Sequence, residues 1–330
     1  MENSWDNLSE TNCNEMEAIL PNNTGRILCM LFLFFIAGVT ISGNVFLILK
    51  VTRRGQFERK INVFLISLAI ADFSIGFLVM PFSIIHNFTE TLFFRNTVTI
   101  NIFFALDAML TISSIFHFTC MNIDRYVAVK KPMKYYQIMK RKLVSLTLII
   151  CWTISCLASV VLILTAKEGT CNPSVEGEAT VIVSVLAFYF PLVLNISASV
   201  SIYLKVRNRS NQLRQMTTNE NIVLQSKRQN GDTQVARTMI ILQSCFILCF
   251  TPFFLFLILK NFFRVEFSPW SMLFVTWLAY TNSTINPFLY YFINNRLKLS
   301  DKNKALNKDR FQFTNNSSTF NSGQDIVQTF

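Results

Sequence analysis

The chain has 330 residues and a formal net charge of +11, yet only 15% of it is charged while 52% is hydrophobic. Soluble globular domains carry nearer a quarter charged residues, so that class is excluded. Nucleic-acid binding is an equally poor account of the positive charge, because no basic, aromatic-interleaved soluble segment is present.

Apolar residues gather into seven blocks, at 27–49, 61–85, 98–123, 143–165, 179–204, 235–259 and 269–293. Each is long enough to cross a bilayer, which takes about 20 residues of helix. Backbone in lipid must satisfy its own hydrogen bonds, so the expected fold class is an all-α, seven-transmembrane helix bundle. The expected organisation is an extracellular N-terminus over 1–25, the bundle over 26–293 and a cytosolic tail over 294–330. Lys and Arg crowd the segments after blocks one, three, five and seven, as in "KVTRRGQFERK" and "KKPMKYYQIMKRK". The N-terminus and the other three loops hold only Arg26, Arg95, Lys167, Lys260 and Arg264. That asymmetry predicts an outside N-terminus, a cytosolic C-terminus and a multi-pass plasma-membrane protein.

The N-terminal segment is acidic and carries glycosylation sequons at Asn7 and Asn22, with a third at Asn87 after block two. No basic stretch precedes a short apolar one at Met1, so block one is expected to insert as its own uncleaved signal. Block one contributes Asn44, and block two contributes Asp72 within "LAIADF" and an internal proline, Pro81.

Block three carries Asp107 inside "FFALDAMLTISSIF" and ends on Asp124, Arg125 and Tyr126. An ionisable side chain in hydrocarbon costs about 2.5–3.5 kcal/mol on insertion scales and marks function by default. Asp107 and Arg125 are 18 residues apart, five turns of one helix face and about 27 Å along its axis. One helix thus presents an anion toward an outer cavity and a cation toward the cytosol. No Lys or Arg lies in any block at the depth of Asp107. Two readings stand: a protonated structural carboxyl bonded to a neighbour, or a carboxylate paired with an exogenous cation, most simply an organic ammonium.

Block four carries Trp152, and the loop behind it carries Cys171, which with Cys13 is clearly extracellular. A Cys13–Cys171 disulfide is the candidate pairing in that oxidising compartment. Cys120, Cys151, Cys156, Cys245 and Cys249 lie within blocks, where small apolar packing is the expected role. Block five holds Pro191 and no acidic residue, and residues 205–234 are expected to be a polar cytosolic loop. Block six supplies Phe250, Pro252, Phe253 and Phe254, and block seven supplies Trp277, Tyr280 and Pro287. Aromatic faces attract cations, which suits a pocket closing over Asp107. Asn44, Ser114, Asn282, Ser283 and Asn286 are positioned to converge on Asp72. Uncharged oxygen donors around one carboxylate suit a sodium ion better than a transition metal. A hydrogen-bonded network with waters and no ion is the alternative. Residues 294–306 have an amphipathic pattern suited to the membrane surface, and 307–330 read as a disordered tail.

The set "SGNV" (42–45), "LAIADF" (68–73), "DRY" (124–126), Trp152, "FYFP" (188–191), "CFTPFF" (249–254) and "NPFLY" (286–290) resembles rhodopsin-like G-protein-coupled receptors. Asp107 with Trp277 and Tyr280 looks like the amine branch. "SSIFHFTCMNIDRYVAV" and "WLAYTNSTINPFLYYF" look most like trace-amine-associated receptors. The resemblance implies a monoamine ligand whose ammonium pairs with Asp107, steadied by Tyr280. Thr111, Ser184, Phe250, Phe253, Phe254 and Trp277 complete the implied pocket. It further implies a sodium pocket at Asp72, Ser114, Asn282, Ser283 and Asn286. Ile115, Pro191 and Phe246 match the family's packing triad. Arg125 matches the arginine that releases Asp124 and engages the G protein; Asp232 matches its acidic partner, and Tyr290 a tyrosine that swings inward. Coupling to the adenylyl-cyclase-stimulating class, with a role in olfaction, belongs to the same implication.

Three departures accompany it. Ile100 stands where a disulfide cysteine is usual, Phe250 replaces a tryptophan, and Ser199 replaces a tyrosine. At the serine positions of catecholamine receptors stand Val183 and Ala187, leaving Ser184 nearby. A retinal protein needs a lysine in the last block, and residues 269–293 have none. No HExxH, "GxGD" or triad-like histidine near a nucleophile points to an intramembrane enzyme.

Overall fold

The computed structural model describes residues 23–53, 60–88, 97–165, 177–215 and 221–288. These form seven long helices. Helix α1 is Asn23–Arg53. Helix α2 runs as Lys60–Ser74, a π-helical turn Ile75–Val79, and Met80–Phe88. Helix α3 is Thr97–Lys130 and α4 is Arg141–Leu164, with a single helical turn Tyr135–Ile138 between them. Helix α5 runs as Gly177–Ser184, a π-helical turn Val185–Tyr189, and Phe190–Gln215. Helix α6 is Asn221–Asn261, and α7 covers 269–288.

Helices α1 to α6 are each long and apolar enough to cross a membrane. Helix α7 is more polar, because Asn282, Ser283, Thr284 and Asn286 sit in it. The outer faces carry large apolar side chains such as Phe35, Leu157, Val193 and Leu248, all at least 60% exposed. In water such a surface would aggregate. Facing lipid tails it costs nothing, and the polar groups turn inward instead.

Both π turns precede a proline by two residues, Pro81 and Pro191. Proline lacks an amide donor and its ring crowds the carbonyl four residues back. One extra residue in the turn relieves that crowding, which is the usual setting for a π bulge. The expected loop over 205–234 is mostly helical: α5 continues to Gln215 and α6 starts at Asn221. Its Arg, Lys, Gln and Leu residues are good helix formers, and polarity decides only whether a helix is in lipid.

Helix α3 occupies the centre, packed against α2, α4 and α5. One buried cluster, near Asp107, joins Met80, Ile84, Phe103, Leu110, Trp277 and Tyr280. A second joins Ile115, Phe118, Phe188, Phe246, Phe250 and Phe254. A third, toward Arg125, joins Leu47, Phe64, Leu68, Met121 and Val144. Ile100, in the place of the usual cysteine, is buried. The Sγ atoms of Cys120 and Cys151 meet at 3.6 Å where α3 touches α4, in keeping with a packing role. At the Asp107 end, the Arg26 guanidinium donates to the Phe88 carbonyl at 2.7 Å, closing the last turn of α2.

Two glycines set close approaches. A Cβ on Gly43 would lie 3.2 Å from the Pro287 ring, so α1 and α7 meet there. A Cβ on Gly177 would lie 2.8 Å from the Asn261 carbonyl oxygen, where α5 begins beside the end of α6. The obstacle is backbone and cannot swing aside. Gly177→Ala is therefore expected to destabilise by about 1–3 kcal/mol, the usual cost of overpacking, and a thermal melt of the purified protein measures it.

Candidate functional site

Asp107 sits half-buried on α3 at the level of the first buried cluster. Its Oδ2 accepts a hydrogen bond from the Tyr280 hydroxyl at 2.8 Å. Its Oδ1 accepts from Thr111, one turn along, at 3.3 Å. Trp277 stands edge-on to the Tyr280 ring, with centroids 5.6 Å apart. Trp277 and Tyr280 are three positions apart on α7, so both face the same side. In the second cluster Phe254 stacks on Phe188 at 4.3 Å, with Phe253 edge-on to Phe254 and Phe250 tilted against it. Ser184 is buried and spends its proton on the Thr180 carbonyl at 2.7 Å. It therefore has only lone pairs to show a ligand.

A second centre forms around Asp72, which is fully buried. Ser283 and Ser114 donate to its Oδ1 at 2.7 and 3.2 Å, and Asn286 donates to its Oδ2 at 2.8 Å. Asn44 lies one step out, donating to the Ser283 and Thr40 carbonyls at 3.1 and 2.9 Å. Asn282 is buried but makes no hydrogen bond to Asp72 among the described contacts. Of the five residues expected to converge on Asp72, three reach it. Two hydroxyls beside one carboxylate leave oxygen lone pairs only, a donor chemistry that fits a small hard cation.

At the far end of α3, Asp124 is fully buried. Its Oδ1 accepts from Tyr135 of the interhelical turn at 2.9 Å, a partner with no sequence signal. Burial first, and then the Asp124 carboxylate, push the Tyr135 phenol above its ordinary range, so it stays a donor at neutral pH. Lys205 of α5 donates to the Lys130 carbonyl at 2.8 Å and closes the end of α3. Tyr126 packs against Ile202 and Val206 of α5. Ile115 and Phe246 are fully buried in one cluster, and Pro191 is buried on α5. Pro287 packs on Gly43. Tyr135→Phe removes a bond worth about 1.5–3 kcal/mol when one partner is charged. Thermal stability is expected to fall accordingly, read by a melt of the purified protein.

Asn7, Asn22, Cys13, Cys171 and Tyr290 lie outside the described residues, as does the side chain of Asp232. Asn87 lies in the last turn of α2, where its amide donates to the Ser83 carbonyl at 2.7 Å.

Two polar clusters went unnoticed in the sequence. Ser67 joins His117 (2.8 Å from Nε2) to the Trp152 indole, which donates to it at 3.1 Å. Asn122, Asn195, Gln243 and Thr119 interlock across α3, α5 and α6. Polar side chains inside apolar blocks were the available signal.

Comparison with known proteins agrees with this geometry. The family model "7 transmembrane receptor (rhodopsin family)" matches residues 43–290. The human 5-hydroxytryptamine receptor 4 is 30% identical over 302 residues, covering 82% of this chain and 77% of that receptor. The rat trace amine-associated receptor 2 is 28% identical over 270 residues, covering 77% of each chain. The alpha-1A adrenergic receptor of Oryzias latipes is 26% identical over 328 residues, covering 88% of this chain and 69% of that one. With the matched stretch running from the second half of α1 through α7, this chain belongs to the rhodopsin family of seven-transmembrane receptors, and is a multi-pass plasma-membrane G-protein-coupled receptor rather than an enzyme.

Proposed function

We propose that this receptor responds to a protonated monoamine whose ammonium pairs with the Asp107 carboxylate. The observation that carries this is the carboxyl itself. It is half-buried within the bundle, it is oriented by the Tyr280 and Thr111 hydroxyls, and no Lys or Arg lies at its depth. A hydroxyl donor on one carboxylate oxygen orients the group while leaving lone pairs for a cationic donor. The Phe250, Phe253, Phe254 and Phe188 rings suit an apolar or aromatic ligand body. Val183 and Ala187 offer no hydroxyl, and the Ser184 proton is taken, so a catechol finds little to hold. Relatives named for serotonin, trace amines and adrenergic ligands support the amine class.

In this reading the N-terminus is outside, the Asp107 end faces outward, and the Arg125 end meets a stimulatory G protein in the cytosol to raise cAMP. A trace amine is the favoured ligand class, and olfactory cells are a fitting site. Asn7, Asn22 and Asn87 are the glycan acceptors, and Cys13 with Cys171 is the disulfide pair. Asp72, Ser114 and Ser283 would hold a sodium ion through their oxygens, where it balances the buried carboxylate. The ligand need only bind one helix packing better than the other, and a few kcal/mol of difference moves the population substantially.

A second reading draws on the same Tyr280 bond, because a hydroxyl partner also satisfies a purely structural carboxyl. A panel of monoamines, each beside its quaternary and neutral analogue, read by cAMP in cells, separates the two. Equal responses to neutral and protonated members overturn the ammonium pairing.

A further inference from the structure

The buried amides of Asn122, Asn195 and Gln243 form a chain of directed bonds through three helices. Asn122 Nδ2 donates to Asn195 Oδ1 of α5 at 2.6 Å and to Gln243 Oε1 of α6 at 3.1 Å. Asn195 Nδ2 then donates to Thr119 Oγ1 of α3 at 2.8 Å, and Thr119 donates to the Ile115 carbonyl at 2.8 Å. Exposure is 2% at Asn122, 1% at Asn195 and 5% at Gln243, so water does not compete for these bonds. The layer lies between the aromatic cluster around Phe246 and Arg125, three residues beyond Asn122 on α3.

We propose that this cluster is a latch that holds α6 against α3 and α5, and that its release sets how often the unliganded receptor opens its Arg125 end. Three physical features support it. First, the neighbouring contact between α3 and α6 is the Phe118–Phe246 stack at 4.7 Å, and ring pairs stay favourable over centroid distances of about 4.5–7 Å. An amide bond is directional and is lost within a shift of about an ångström. Gln243 is therefore the contact that reports whether α6 is seated. Second, every member is uncharged, so the latch holds irrespective of pH and salt, unlike the ionic groups at Asp124 and Arg125. Third, the layer is not closed on itself. Among the described residues, Gln243 Nε2 and Ser199 Oγ are buried without a hydrogen-bond partner. Ser199 stands one turn from Asn195 on the same face of α5. A fully satisfied network would lock one packing, whereas one with spare donors can be exchanged for another.

The size of the effect is bounded. Interhelical hydrogen bonds in membranes shift an equilibrium by about 3- to 15-fold each. That is enough to move ligand-free activity without unfolding the bundle.

The test uses the full-length receptor in nanodiscs without ligand. Spin labels go on Met133, 90% exposed after α3, and Ile240, on the outer face of α6. Gln243→Met keeps the shape and removes the polarity; Asn122→Leu removes the shared donor. Each is expected to populate a longer Met133–Ile240 distance and to raise ligand-free nucleotide exchange about 3- to 15-fold. The double variant is expected to do no more than the stronger single one, since Asn122→Leu already removes the Asn122–Gln243 bond that Gln243→Met breaks. Ser244→Ala, on the exposed face of α6, is expected to change neither reading. Should a variant melt too early to purify, Gln243→Asn, one methylene short of Asn122, decides in its place. Unchanged distances and exchange in folded variants, a fall in exchange, or additive effects in the double variant each overturn the latch.

Discussion

Asp107→Asn is expected to weaken activation by monoamines about 100- to 1,000-fold while leaving the receptor folded and at the cell surface. The substitution keeps size and hydrogen bonding to Tyr280 but removes the charge that an ammonium needs. Truncating one partner of a buried, hydrogen-bonded charge pair costs about 2–5 kcal/mol, and each 1.4 kcal/mol is tenfold in affinity. Tyr280→Phe acts through orientation alone, deleting the 2.8 Å bond to Oδ2 while sparing the charge. A smaller loss, about 10- to 100-fold, is expected there, the scale of one hydrogen bond to a charged group. Concentration–response curves for one amine on the three receptors check the order. Equal curves for wild type and Asp107→Asn would sink the ammonium pairing.

Removing Asp72 is expected to have the second largest effect, this time on stability and on its dependence on sodium. In Asp72→Ala the donors of Ser283, Ser114 and Asn286 lose their shared acceptor at the centre of the bundle. An orphaned buried donor costs about 1–3 kcal/mol, and three around one site make a loss of about 3 kcal/mol after relaxation a reasonable scale. Asp72→Asn retains a carbonyl for Ser283 and is expected to lose less. Both variants are expected to melt at the same temperature in sodium as in a large organic cation. Wild type is expected to melt higher in sodium, by the mass-action stabilisation that a bound ion confers. A wild type indifferent to sodium would leave Asp72 as a hydrogen-bonded network without an ion.

Much of this molecule was legible in its residues because lipid is an undemanding solvent to read. Seven apolar blocks had to be helices, and the helices lie where the blocks do. The errors fall where lipid has no say. The segment 205–234 is polar, yet most of it extends α5 and α6, since helix propensity does not require an apolar face. The π turns at Ile75–Val79 and Val185–Tyr189 follow from proline geometry, but prolines alone did not reveal which carbonyl would yield.

The site divides in the same way. Charge buried in hydrocarbon is so costly that Asp72, Asp107, Asp124 and Arg125 announced themselves. Their partners did not, because a hydroxyl or amide is cheap enough to sit anywhere in a helix. Asn44 and Asn282 share the polarity of Ser283 and Asn286, yet only the latter two reach Asp72. Tyr135 meets Asp124 from a short turn outside the membrane, and no spacing rule connects the two.

The sequence by itself determined the seven helices, the inward-facing charges and the family motifs, because apolarity and charge act one residue at a time. Which neutral groups pair across helices was decided only in the tertiary structure. Asn122, Asn195 and Gln243 lie on three separate helices. Angstrom-scale packing alone brings their amides within bonding distance.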